Sequence, residues 1–257
     1  MSEKDSLYSL FYAVWRPEHW GKYSWATIMC MSIYVDTKAP EKKRLLIKFR
    51  EKCLPDVLPC KTCTSPHLLQ FLERYSPYVP IDSYMGASYF WYLLRKNIQQ
   101  RTNKQDKQSF DQFVEQYKEF SVKSYLTNLI RFLHFVALTY PDLKGEAMSI
   151  QSTPTHHTSQ ERRQAVQELM CIYIPQLFPM PLKVAREWII MCGDLRTWIN
   201  SHSLLLSIYL CASKCNLLPD YSPSHQSLDM YINYIHRHLL APTEQHQKAC
   251  DCKKETV

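Results

Sequence analysis

Glycine is nearly missing from this chain of 257 residues. There are four, Gly21, Gly86, Gly145 and Gly193, and no two lie close together. A Gly-x-Gly-x-x-Gly dinucleotide turn and a Gly-x-x-x-x-Gly-Lys phosphate loop each need several glycines within a few residues, so both are excluded. A β-rich fold with many tight turns is disfavoured for the same reason. Long apolar runs are missing too. The most apolar stretch, "SLLLSIYLCA", is about half the ~20 residues that a membrane-spanning helix requires. The opening "MSEKDSLYSLFYAVW" lacks the unbroken apolar segment and small-residue cleavage site of a secretion signal. The expectation is a soluble intracellular protein with no membrane span.

What the chain does contain is a core and helical periodicity. It is 46% apolar and 13% aromatic, enough for one large domain or two small ones. The net charge of +7 is spread along the chain, which reads as solvated faces rather than a nucleic-acid surface, so no nucleic-acid partner is expected. Apolar residues recur at helical spacing in "EHWGKYSWATIMCMSIYV", "APEKKRLLIKFREKCL", "SPHLLQFLERY", "YFWYLLRKNIQQR" and "SFDQFVEQYKEF". Pro40 and Pro66 suit helix starts, and Ser65 a cap.

From about residue 121 the pattern starts again. "SYLTNLIRFLHFVALTYPD" predicts a long helix, the polar insert "STPTHHTSQERR" a loop, and "QAVQELMCIYIPQLFP", "PLKVAREWIIM", "LRTWINSHSLLLSIYLCASK" and "HQSLDMYINYIHRHLL" four further helices. Two sets of five helices suggest a duplication, and "VLPCKTC" in the first half lines up with "LFPMPLK" in the second. Met180 and Lys183 then stand where the first half has Cys60 and Cys63. The fold class expected is all-α, with residues 1–120 as one helical module, 121–240 as a second, degenerate one, and 241–257 as a flexible tail.

The chemistry points to cysteine. Of ten cysteines, two pairs are closely spaced, Cys60/Cys63 and Cys250/Cys252. Stable disulfides are not the default for a cytosolic chain. A Cys-x-x-Cys pair at a helix start favours thiolate and brings the two sulfurs within bonding reach. A zinc site is the alternative, because Cys53, Cys60, Cys63 and His67 offer a Cys₃His set within fifteen residues. His156 and His157 fall in the polar insert, and His202, His236 and His238 have no ligand partners at suitable spacing. Cys211 and Cys215 share a helix face and read as buried free thiols.

Three phrases in order resemble the Erv/ALR sulfhydryl oxidases, small helical FAD-binding bundles that make disulfides de novo. They are Trp20-Gly21-Lys22-Tyr23-Ser24-Trp25, then Leu58-Pro59-Cys60-Lys61-Thr62-Cys63, then Trp91 followed by Lys96-Asn97-Ile98-Gln99-Gln100. The resemblance covers roughly residues 17–118. In the second half, "FLHFVALTYPD" is similar to the family's first-helix phrase, with His134 where the first half has Met29. The chain departs from the family at Met29 and Lys96, which replace histidines, and at Gln100, which replaces an asparagine.

The resemblance implies an FAD-dependent thiol oxidase that oxidises protein dithiols and reduces molecular oxygen to hydrogen peroxide; the alternatives are a zinc-stapled helical interaction protein without catalysis and a pseudo-oxidase lacking FAD. Cys60 would be the exchange cysteine and Cys63 the flavin-proximal one. Gly21, Trp25 and Met29 would lie along the flavin, with Trp25 stacked on its rings; a plain core anchor is the other reading of Trp25. Asn97 and Gln100 would bond the adenosine part, or form a solvated stripe. Lys22, Lys96 and Lys104 would meet the pyrophosphate, or be ordinary exposed lysines. No metal is expected. A viral oxidase is implied, acting on viral structural proteins in host cytoplasm, nucleus or virion. The two modules would form an intrachain pseudo-dimer, with a homodimer left open. Cys250 and Cys252, in a tail of disordered composition, would shuttle electrons from bulky substrates or be spare thiols.

Overall fold

The computed structural model describes residues 17–58, 67–101, 107–141, 159–193 and 195–217. The protein is an all-α bundle, every regular element among these residues being helical. In chain order, α1 is Pro17–Tyr34 and α2 is Pro40–Lys48, which runs through a π-helical turn, Phe49–Cys53, into α3, Leu54–Val57. Then come α4 His67–Tyr75, α5 Tyr84–Arg101, α6 Phe110–Lys118 and α7 Val122–Leu138. Next, α8 is Ser159–Glu168, followed by a second π turn, Leu169–Tyr173, and α9, Ile174–Leu177. The last are α10 Leu182–Gly193, a 3₁₀ turn Leu195–Thr197, and α11 Ser201–Lys214.

The two π turns sit 120 residues apart and share one cause. Pro55 and Pro175 each occupy the second position of the short helix that follows. A proline inside a helix removes an N–H donor and crowds the carbonyl four residues back, so the chain takes one wide turn instead. Leu54 N–H accordingly donates to the Phe49 carbonyl and Ile174 N–H to that of Leu169, both i→i−5.

The seam between the halves is built on the same offset. The long apolar α7 lies against α1, α2 against α9, α3 against α8, and the two π turns touch. Lys42 Nζ donates to the Gln176 carbonyl at 2.8 Å, and Arg162, 120 residues on from Lys42, donates to the carbonyl of Asp56, 120 residues before Gln176. Phe49 packs on Tyr173 with ring centroids 5.8 Å apart. The two cation contacts are reciprocal, i to j and j to i, at an offset of 120 residues.

Each half repeats the outer packing as well: α1 pairs with α5, and α7 with α11. Trp91 Nε1 on α5 donates to Ser32 Oγ on α1 at 2.7 Å, in the core. The start of α5 lies by the end of α1, where Thr37 Oγ1 donates to the Asp82 carbonyl and Lys43 pairs with Asp82, so α1 and α5 are antiparallel. Ser109 and Gln112 close a capping box that starts α6.

Two sequence expectations need correction. The polar insert ends at residue 158, because Ser159–Arg163 already belong to α8 and Arg162, Ala165 and Val166 face inward. "LRTWINSHSLLLSIYLCASK" is not one helix. Asn200 caps α11 in a box with Ser203, which separates it from the 3₁₀ turn. At its other end, Asn216 takes a left-handed φ of 55°, and Leu217 N–H donates back to the Ala212 carbonyl. The expected helix over 225–240 lies outside the described residues.

Candidate functional site

The candidate thiol pair follows directly from the end of α3. Leu58 leaves the helix in an extended conformation, φ −61° and ψ 132°, and α4 opens at His67. Cys60 and Cys63 lie between them, outside the described residues, as do Lys104, Cys250 and Cys252. What the structure does give is the anchor. A helix end leaves its last carbonyls without partners, and here Arg162 of α8 supplies them. Its Nη1 donates to Asp56 and, at 3.3 Å, to Leu58. Its Nη2 reaches Val57 at 3.5 Å and also bonds Thr139 Oγ1, while Nε donates to the Thr139 carbonyl at 3.0 Å. The guanidinium is buried, which pulls its pKa down to about 10, with the Asp56 carboxylate acting in the opposite sense. One cation from the second half thus holds the backbone two residues before Cys60.

The other anchor is Cys53, at the end of the first π turn. It is 2% exposed and its thiol donates to the Ala165 carbonyl at 3.7 Å. Burial, with Glu168 and Asp56 nearby, pushes the thiol well above its ordinary pKa. It is held as a protonated donor in the seam, which is not the state of a zinc ligand. Among the described residues no group of three or more His, Cys, Asp or Glu is arranged to hold a metal. Cys30 is completely buried and its pKa is raised by that burial. Neither Cys30 nor Cys53 offers the exposed thiol that a relay to bulky substrates needs.

The expected cofactor residues fall on α1 and α5. Trp25 is partly buried and meets Phe113 of α6 edge-on, centroids 6.5 Å apart. Tyr92 packs on the same Phe113 ring at 5.7 Å, and the Arg95 guanidinium lies 5.1 Å from it. Lys96 Nζ stands 5.3 Å from the Tyr92 ring. Trp25 and Lys96 are therefore joined through one aromatic cluster. Gly21 faces open space, Lys22 is exposed with its ammonium 4.9 Å from the Tyr23 ring, Asn97 is half-buried and Gln100 exposed. Because α1 and α5 are antiparallel, Gly21 and Lys22 near the start of α1 share an end of the bundle with Asn97 and Gln100 near the end of α5. Met29 is apart from these, enclosed in the core with no exposed surface.

Arg162 is the residue that sequence reasoning missed. It was hidden in the polar run "HTSQERR", but the signal was there: Arg162, Ala165 and Val166 fall at i, i+3 and i+4, the inward face of a helix. Comparison with known proteins gives no matching family model, no matching curated protein and no matching solved structure. Among the described residues no helix is long and apolar enough to cross a membrane.

Proposed function

We propose that this chain is an FAD-dependent thiol oxidase that converts protein dithiols to disulfides, with Cys60 and Cys63 as its redox pair. The observation that carries the reading is the setting of the Leu58-Pro59-Cys60-x-x-Cys63 segment. It follows a helix end held by a buried arginine, in a chain where Trp25 of α1 and Lys96 of α5 join one aromatic cluster and Lys22, Asn97 and Gln100 lie on the same two helices. That donor set fits a flavin dinucleotide. Trp25 supplies an aromatic face for the ring system, Lys22 and Lys96 cations for a pyrophosphate, and Asn97 and Gln100 amides for a nucleoside. When bound, the flavin supplies two-electron transfer from a dithiol to oxygen, with hydrogen peroxide as product.

The chain's own part is thiol exchange. A substrate thiolate attacks the Cys60 sulfur of the Cys60–Cys63 disulfide, and Cys63 leaves as thiolate. The second substrate thiol then attacks the mixed disulfide, releasing Cys60 and the oxidised substrate. The second half, with Met180 and Lys183 at the matching positions, has no such pair and acts as the fixed partner of an intrachain pseudo-dimer.

The test is direct. The purified chain, supplied with FAD, should hold one flavin per chain, be yellow, and consume oxygen when given a dithiol. A colourless chain that takes up no FAD and consumes no oxygen would overturn the proposal.

A further inference from the structure

The second half has a thiol pair of its own, placed by the second π turn. Ile174 N–H donates to the Leu169 carbonyl across that turn, and the next residue, Pro175, has no N–H, so the Met170 carbonyl is left without a helical partner. Two side chains of α10 use it: Trp188 Nε1 at 2.7 Å and Cys192 Sγ at 3.3 Å. Cys192 is thereby held against the carbonyl that directly precedes Cys171, which sets the two thiols beside each other. Both are only partly buried, unlike Cys30 and Cys53.

The neighbouring Cys192 lowers the pKa of Cys171 against an opposing effect of burial, and the neighbouring Cys171, then burial, raises that of Cys192. The Cys192 thiol, donating to the Met170 carbonyl, is held protonated as the group that resolves the product, and Cys171, free of that carbonyl, is the nucleophile. Nothing in the exchange proposed for Cys60 and Cys63 uses either residue.

We propose that Cys171 and Cys192 form a second reversible dithiol–disulfide centre, which exchanges with small disulfides of the glutathione-disulfide class independently of Cys60 and Cys63. In the first step the Cys171 thiolate attacks one sulfur of the small disulfide; a Cys171 mixed disulfide forms and one thiolate leaves. Cys192 then attacks the Cys171 sulfur, forming the Cys171–Cys192 bond and expelling the second thiolate, which takes up the Cys192 proton. One external disulfide is reduced to two thiols and one internal disulfide is made. The new bond would join the π turn to the end of α10.

The experiment uses the full chain carrying Cys60→Ser and Cys63→Ser, fully reduced, without oxygen and without added flavin. Its outcome therefore does not depend on the thiol-oxidase reading. Glutathione disulfide is added, free thiols are trapped at acid pH, and the protein is mapped by mass spectrometry. The expected result is a Cys171–Cys192 linked peptide and two molecules of glutathione released per bond. Adding Cys192→Ser should stop the reaction at a Cys171–glutathione adduct. Adding Cys171→Ser should slow glutathione release at this site by about tenfold or more, because the favoured thiolate is gone. If Cys171 and Cys192 both remain trappable in excess glutathione disulfide, or if Cys171 is found linked to another cysteine, the proposal is overturned. Unchanged kinetics in the Cys171→Ser chain would overturn it as well.

Discussion

Replacing Arg162 with methionine should cost far more stability than making the same change at its counterpart, Lys42. Arg162 is buried, and its two best-placed backbone acceptors are the carbonyls of Asp56 and Thr139; Leu58 and Val57 lie further off at 3.3 and 3.5 Å. A buried acceptor left without a donor costs about 1–3 kcal/mol. Two of them give about 2–6 kcal/mol, part of which is returned because a desolvated cation is no longer enclosed. A net loss of about 3 kcal/mol is expected, equivalent to about 6–12 °C in Tm for a chain of this size. Lys42 makes a single bond at 2.8 Å to the Gln176 carbonyl, in a position water can reach. Lys42→Met should cost less than about 1 kcal/mol. Arg162→Lys should recover only part of the loss, since an ammonium cannot reproduce the planar fork that reaches several carbonyls. Denaturant midpoints with unchanged m-values would read all three. Equal losses for Arg162→Met and Lys42→Met, or a loss under about 1 kcal/mol for Arg162→Met, would refute the clamp.

If the thiol-oxidase reading holds, Cys60→Ser and Cys63→Ser should each abolish dithiol-dependent oxygen consumption with the bundle intact by circular dichroism; full turnover by either chain would remove that residue from the reaction. Truncation after Leu240 should leave small-dithiol oxidation unchanged and slow that of a folded protein substrate; equal rates on both would dismiss Cys250 and Cys252 as a relay. Gly86→Ala should destabilise by about 2 kcal/mol, because its Cβ would lie 2.3 Å from the Pro80 carbonyl oxygen, whereas Gly21→Ala, with nothing within 4 Å, should stabilise α1 by about 0.5–1 kcal/mol. His134 is fully buried, and burial, then Arg131, lowers its pKa from 6.5 to about 3. The unfolded chain therefore binds the extra proton between those values, so stability is complete above pH 6.5 and falls toward pH 3, by about 2 kcal/mol from pH 7 to pH 5. His134→Met should flatten that slope, and a slope unchanged in the variant would mean that another group sets it.

Most of the helices were legible because their apolar faces repeat at helical spacing. α1 and α6 fall within two residues of their expected bounds, whereas α5 opens at Tyr84, five residues before the expected Tyr89; Ser109 and Gln112 form a cap that local chemistry alone suggests. Two kinds of feature escaped. The first is the start of α8, where "SQERRQ" is so polar that its single inward stripe is sparse and the run looks like loop. The second is the pair of π turns. Pro55 and Pro175 were visible, but a proline within a helical pattern can end the helix, kink it or widen one turn. Only packing decides, and here Cys53 and Tyr173 are drawn into the seam against Ala165 and Phe49. The approach of Cys192 to the backbone beside Cys171 was equally hidden, since it depends on a carbonyl that the second π turn sets free.

The matched positions on the seam have diverged in a way that bears on the site. Each short helix after a π turn ends in carbonyls that need donors, and each receives a cation from the opposite half. The donor to the Gln176 end is a lysine, a point charge making one bond near the surface. The donor to the Asp56–Leu58 end is an arginine, buried and spread over three successive carbonyls and Thr139. A multidentate, desolvated contact restricts the backbone more than a single solvated one. The stronger hold therefore falls on the copy whose next residues are Pro59 and Cys60, and the weaker on the copy that continues into Pro179 and Met180. Packing alone does not call for that difference. Under the proposed thiol-oxidase function the difference has a use, because small displacements of a reacting sulfur are costly in rate.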